Sequence, residues 1–144
     1  MSTLDEQIYI DAVIVKGIGR TLSVSIKQPT EETQDLPVPT WEDFDLTPYA
    51  VRMRILGSAE GDGAILLEKI ITQDTDETEV GTIEEPLSGE FTFTITAEDT
   101  NLLGLGSKAI TLQLLDKDSL ELIYTLTEGG VAQSEFNKIT VVRA

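Results

Sequence analysis

Carboxylates are the one reactive group this chain holds in quantity: its 144 residues include 26 Asp and Glu against 10 Lys and Arg, with no His and no Cys. Without imidazole or thiol the chain lacks the usual general base near neutral pH, the thiolate nucleophile and ligand, the Ser-His and Cys-His pairs, and any disulfide. The acid–base chemistry that remains is that of paired carboxyls, as in glycoside hydrolysis, which needs two of them ~5–9.5 Å apart in a cleft. Here the acidic residues fall almost entirely in turn-like segments, so no pair stands out. No catalytic residue and no cofactor are assigned, and the protein is expected not to be an enzyme.

Two other chemistries deserve a place. The run Gln73–Glu79 presents Asp74, Asp76, Glu77 and Glu79, whose oxygens suit calcium. It lacks the glycine at the sixth loop position and the distant glutamate of an EF-hand, so a solvated acidic turn is the simpler expectation. The second chemistry is recognition. Trp41, Phe44 and Tyr49 lie close together in one segment, and Arg52 and Arg54 form the only close basic pair. Desolvated aromatics anchor protein interfaces while charges at the rim set register, so these five residues are the candidates for partner contact. The bland alternatives are an aromatic plug at the end of a β-sandwich and cross-strand ion pairs.

The net charge of −16 and sequence pI near 4.1 repel phosphate backbones and anionic lipid alike, so neither nucleic acid nor membrane is an expected partner. No run reaches the ~18 apolar residues of a membrane span. The start, Met1-Ser-Thr-Leu-Asp-Glu-Gln, has no basic region, and Asp11 interrupts the apolar stretch Ile8 to Val15. The segment reads as a strand rather than a secretion signal, which implies synthesis in a cytoplasm.

What must position these residues is a set of strands, because period-two alternation dominates and no helical period lasts three turns. Leu22, Val24 and Ile26 alternate with Thr21, Ser23 and Ser25; Val51, Met53 and Ile55 with Arg52 and Arg54; Phe91, Phe93 and Ile95 with Thr92, Thr94 and Thr96. Ile65, Leu67, Lys69 and Ile71 share one parity, as do Ile110, Leu112 and Leu114, then Leu120, Leu122 and Tyr124, and finally Ile139 and Val141. The first strand, around Ile8 to Val15, is apolar at both parities. Residues 97–104 read as a short helical turn, with Asp99 or Thr100 capping and Gly104 terminating. Residues 1–19 make an N-terminal strand or arm, and 28–45, with Pro29, Pro37 and Pro39, an exposed loop. The whole is expected to be one all-β domain, an immunoglobulin-like antiparallel β-sandwich of about eight strands with one short helical turn.

The order of elements from Arg20 onward resembles the immunoglobulin-like domain at the N-terminus of phage baseplate upper proteins and in related tail and fibre proteins. The segments that carry the likeness are the strand Thr21 to Lys27, Asp45-Leu46-Thr47 leading into Val51-Arg-Met-Arg54, Ser88 to Thr96 entering Asp99-Thr100-Asn-Leu-Leu, and the hairpin from Ile110 through Asp116–Ser119 to Tyr124, with Gly129-Gly130 before the last strand. The chain departs from that pattern in its Pro-rich insertion before Trp41. The resemblance implies a non-catalytic virion component, in a tail baseplate or at a fibre attachment, assembled in the host cytoplasm and packing against other virion structural proteins. It also implies homo-oligomerisation, a trimer among the states allowed. The rival readings are a calcium-dependent adhesin or carbohydrate-binding sandwich, and a capsid decoration or neck protein.

Overall fold

A computed structural model describes residues 10–33, 35–57, 64–75, 80–125 and 137–143. In chain order the strands are β1 (Ile10–Val15), β2 (Arg20–Ser25), β3 (Lys27–Pro29), β4 (Trp41–Asp43), β5 (Tyr49–Leu56), β6 (Ile65–Ile71), β7 (Gly81–Glu85), β8 (Glu90–Ile95), β9 (Gly106–Asp116), β10 (Leu122–Thr125) and β11 (Asn137–Val142). A 3-10 turn at Pro86–Ser88 links β7 to β8, and the one-turn helix α1 (Thr100–Leu103) links β8 to β9.

Alternation places one face of each long strand in a shared core. The larger sheet runs β1-β11-β9-β5-β6, with β10 pairing the second half of β9; the smaller runs β2-β8-β7. Their inner faces meet in one apolar cluster, with Ile14, Met53, Ile55, Ile71, Ile110 and Leu112 from the larger sheet against Leu22, Val24, Phe91, Phe93 and Ile95 from the smaller. The fold is therefore an all-β sandwich. The first strand buries Ala12 and Ile14 while Val13 stays half exposed, so it is a one-sided strand despite its apolar run.

Three features differ from what the sequence suggests. The first is direction: β1 joins β11 in parallel, Ala12 opposite Ile139 and Ile14 opposite Val141, so the sandwich is not wholly antiparallel. The second is the Pro-rich stretch, whose ends form an antiparallel ribbon, Lys27 opposite Asp43 and Pro29 opposite Trp41, instead of a bare loop. The ribbon is tied on through Ile26, whose N–H donates to Gly89 O and whose carbonyl accepts from Phe44 N. The third is the helix start. Asp99 holds the N-cap position of α1, but its side chain makes no capping bond into the helix; it forms a reciprocal box with Thr96, Thr96 N–H to Asp99 Oδ2 at 2.8 Å and Asp99 N–H to Thr96 Oγ1 at 3.1 Å. Thr100, fully buried, instead donates to Ala97 O and accepts from Gly17 N–H at 2.8 Å, pinning the β1–β2 turn onto α1. The turn at Glu60–Gly63 and the Gly129-Gly130 break lie outside the described residues.

Candidate functional site

The aromatic candidates divide between the interior and the ribbon. Leu46 N–H binds Pro86 O and Tyr49 N–H binds Leu46 O, and the turn so formed swings Phe44 into the core, where it is 6% exposed. Its ring stacks on Tyr49 at 5.7 Å between centroids, and Tyr49 meets Tyr124 edge-on at 6.3 Å. Phe44, Tyr49 and Tyr124 thus plug one end of the sandwich. Burial, then Tyr124 and Asp45 close by, raise the Tyr49 phenol pKa above its ordinary value. Trp41 stands apart on β4, half-buried, with Leu36 and Val38 exposed beyond it in the same hairpin. Tyr124 escapes a sequence search for an aromatic cluster because it comes from a different hairpin, some 75 positions after Tyr49.

Arg52 and Arg54 occupy the outer face of β5, opposite in parity to buried Val51, Met53 and Ile55. The Arg52 guanidinium donates through Nε to Gln113 Oε1 at 2.7 Å and through a second nitrogen to the same oxygen. Partial burial and then the Arg54 charge lower its pKa, with Glu68 opposing. Arg54 Nε meets Glu68 Oε2 at 2.6 Å across the β5–β6 pair. Both arginines therefore have partners within the sheet. The Arg54–Glu68 pair, with side chains 29% and 38% exposed, contributes only about 0–1 kcal/mol.

Of the calcium candidates, Asp74 is exposed and sits in an ST-type turn, its N–H donating to Thr72 Oγ1 at 3.2 Å. Together with Thr72, Gln73, Lys117 and Asp118 it lines an open depression of about 260 Å³. The Lys117 ammonium there competes with any cation. Asp76, Glu77 and Glu79 lie outside the described residues, and among the described residues no group of three or more acids is placed to hold a metal ion.

A charged pair more enclosed than Arg54 and Glu68 lies between the sheets. Lys69 lies at the inward parity of β6, opposite Met53, and crosses between the sheets to donate to Thr94 O at 2.6 Å and Asp99 Oδ2 at 2.5 Å. The two side chains are 9% and 18% exposed and open onto a cleft of about 410 Å³ shared with Val80, Thr96, Ala97 and Glu98. Burial acts to raise the Asp99 pKa, but the hydrogen bonds from Lys69 and Thr96 and the Lys69 charge outweigh it, and the carboxyl ends below its ordinary value. The pair clips the edge of the larger sheet to the helix start and to β8. A lysine among the otherwise apolar inward positions of β6 is its visible signal in the sequence.

No family model matches the chain, and no curated protein matches its sequence.

Proposed function

We propose that this protein is a non-catalytic structural component of a bacteriophage virion, a tail baseplate or fibre-attachment domain that acts through protein–protein contacts. The observation that carries the reading is the strand order. In an immunoglobulin-like sandwich, strands B, E and D make one sheet and C, F and G the other, with extra strands added beside C in variable-type domains. Assigning β2, β8 and β7 to the first set and β5, β9 and β11 to the second follows the order of both sheets, with β6 beside β5, β1 at the edge next to the last strand and β10 as an additional strand on β9. The segments that carry the likeness to baseplate upper proteins fall on β2, β5, β8 with α1, and the β9–β10 hairpin, which supports the reading.

The chemistry on offer supports contact over turnover. The sequence has no His or Cys to serve as a base or nucleophile near neutral pH. The ribbon carries the contact: Trp41 is half-buried, Val38 is 84% and Leu36 53% exposed, an apolar set of the kind that anchors interfaces. The partners are other virion structural proteins, met in the host cytoplasm during assembly.

The test is mass spectrometry of density-purified particles from a culture of the source organism. The polypeptide is expected to co-purify with capsid and tail-tube proteins at fixed stoichiometry, a low copy number pointing to baseplate or fibre. Its absence from particles, with the protein in cells or on their envelope, overturns the reading.

A further inference from the structure

A strand at the edge of a sheet leaves N–H and carbonyl groups open to pairing, and proteins guard such edges with charge, proline, a bulge or brevity. Most edges of the two sheets here are guarded in one of these ways. β1 carries Asp11, and its Val13 carbonyl is taken by the Arg20 guanidinium at 2.7 Å. β6 carries Glu68 and Lys69. β7 shifts register between Thr82 and Glu85 and ends in two glutamates, while β10 is four residues long with a shift of its own between Leu122 and Tyr124. Among the described edges β2 is the exception. It runs Arg20-Thr-Leu-Ser-Val-Ser25 in unbroken register with β8, with no charge, proline or bulge after Arg20.

The ladder shows which groups of β2 are open. Ile26 N–H donates to Gly89 O, so the even-numbered residues turn their main-chain groups to β8 and the odd-numbered ones turn theirs away. The partner strand agrees: Thr94, opposite Thr21, sends its N–H to Val80 O on its far side. Thr21, Ser23 and Ser25 therefore present their N–H and carbonyl groups to the outside, and all three residues are exposed. Among the described residues no group bonds to those main-chain positions.

We propose that β2 pairs antiparallel with β2 of a second copy of this chain, joining the two smaller sheets, each β7-β8-β2, into one continuous sheet. A strand meets its own copy about a two-fold axis, an isologous contact that closes at a dimer. One register engages all three open residues of both copies: Ser23 sits on the axis opposite Ser23 of the partner, and Thr21 lies opposite the partner's Ser25. Each copy then donates three N–H groups and accepts at three carbonyls. On the outer face hydroxyl meets hydroxyl, and on the inner face Leu22 meets Val24. Charge favours this occupant over the other edges' approach to one another. A chain of net charge −16 repels its own copy where its acids lie, and the stretch Thr21 to Ile26 has none. The contact owes nothing to the virion reading and concerns the isolated protein, so either can fail alone.

Sedimentation velocity on the purified full-length chain tests it, over a concentration series at ~0.05 M and ~0.5 M salt. The expected result is a dimer that tightens at high salt, where screening removes the net repulsion. Amide exchange should slow with concentration at Thr21, Ser23 and Ser25. Ser23→Pro deletes an outward N–H without touching the β8 ladder, and Ser23→Lys sets two like charges on the axis, so each should weaken Kd at least about tenfold. Thr94→Lys makes the same charge change on the same face one strand inward, and the dimer should survive it. Because a lysine reduces the net negative charge, a general charge effect would strengthen association in both lysine variants. Melting curves show which variants fold, and Ser23→Lys decides if the proline variant does not. A wild type that stays monomeric up to about 0.5 mM at both salt concentrations overturns the proposal. So does a dimer indifferent to the Ser23 changes, or one weakened equally by Thr94→Lys, which reports contact through the face of the sheet and not its edge. Detection in virions together with a monomeric purified protein sinks this inference and leaves the virion reading intact.

Discussion

Removing the Asp99 carboxylate should be among the most damaging single changes on this protein's polar surface. With Asp99→Ala the Lys69 ammonium, 9% exposed, keeps only Thr94 O among the two acceptors described above. Breaking a fully buried pair from one side costs ~3–5 kcal/mol. Asp99 itself retains 18% exposure and the pair opens onto a cleft, so roughly 2 kcal/mol is the appropriate share here. Loss of the reciprocal box with Thr96 adds about 1 kcal/mol. The sum, about 3 kcal/mol, corresponds to a drop of about 10 °C in melting temperature for a chain of this length. Lys69→Met combined with Asp99→Ala removes both charges and should recover about 2 kcal/mol of that loss, which urea denaturation in a double-mutant cycle measures directly. The pH profile provides a second readout. Because the folded Asp99 pKa lies below its ordinary value of 3.8, the stabilisation is present above that value and is lost as pH falls through the folded pKa. The gap between wild type and Asp99→Ala should therefore narrow only below about pH 4. A single-variant cost under about 1 kcal/mol, or a double variant as unstable as the sum of the singles, would refute the clip.

Other expectations follow from backbone and hydroxyl geometry. At Gly81, φ is +132° and an added Cβ would lie 2.1 Å from Thr92 O, so Gly81→Ala should cost at least about 3 kcal/mol or prevent folding; a variant melting within a few degrees of wild type contradicts the β7–β8 register. Thr100→Val removes the buried acceptor of Gly17 N–H and the donor to Ala97 O, and should destabilise by about 1–3 kcal/mol, with faster amide exchange at Gly17 as the local signature. Calcium at millimolar concentration should leave the melting temperature unchanged, given Lys117 beside Asp74; a calcium-dependent rise would restore the adhesin reading.

The long strands were legible because burial in a sheet writes itself into every second residue. Leu22 and Val24, Val51 to Ile55, Phe91 to Ile95 and Ile110 to Leu114 all reach the core at the parity their spacing implies. Strands that form for other reasons leave no such trace. In β7 Ile83 alone joins the core, and the strand exists because Gly81, Thr82 and Glu85 find backbone partners on β8. The β3–β4 ribbon is three residues long on each side and is set by Ile26 bridging Gly89 and Phe44, an arrangement of carbonyls and amides to which side-chain hydropathy is blind. The parallel partner of β1 is the last strand of the chain, and alternation carries no information about direction.

The candidate contact residues were legible as types but not as roles, and the reason is the same in each case. An aromatic plug and an aromatic anchor have the same composition; the Leu46 turn decides, sending Phe44 inward while Trp41 stays on the ribbon. Two outward arginines look alike in sequence, yet one finds the neutral acceptor Gln113 and the other the carboxylate Glu68, since their cross-strand neighbours differ. Lys69 is the instructive exception. A lysine in the inward set of a strand breaks the pattern, and burial of an ammonium demands an acceptor, so the sequence did announce half of a pair. Its other half, Asp99, lies 30 positions on in a segment that reads as a helix cap, and only the packing of α1 against β6 brings the two together. A polar residue that violates an otherwise clean apolar register is thus the sequence mark of a long-range polar contact, and here it marks the clip between the sheets.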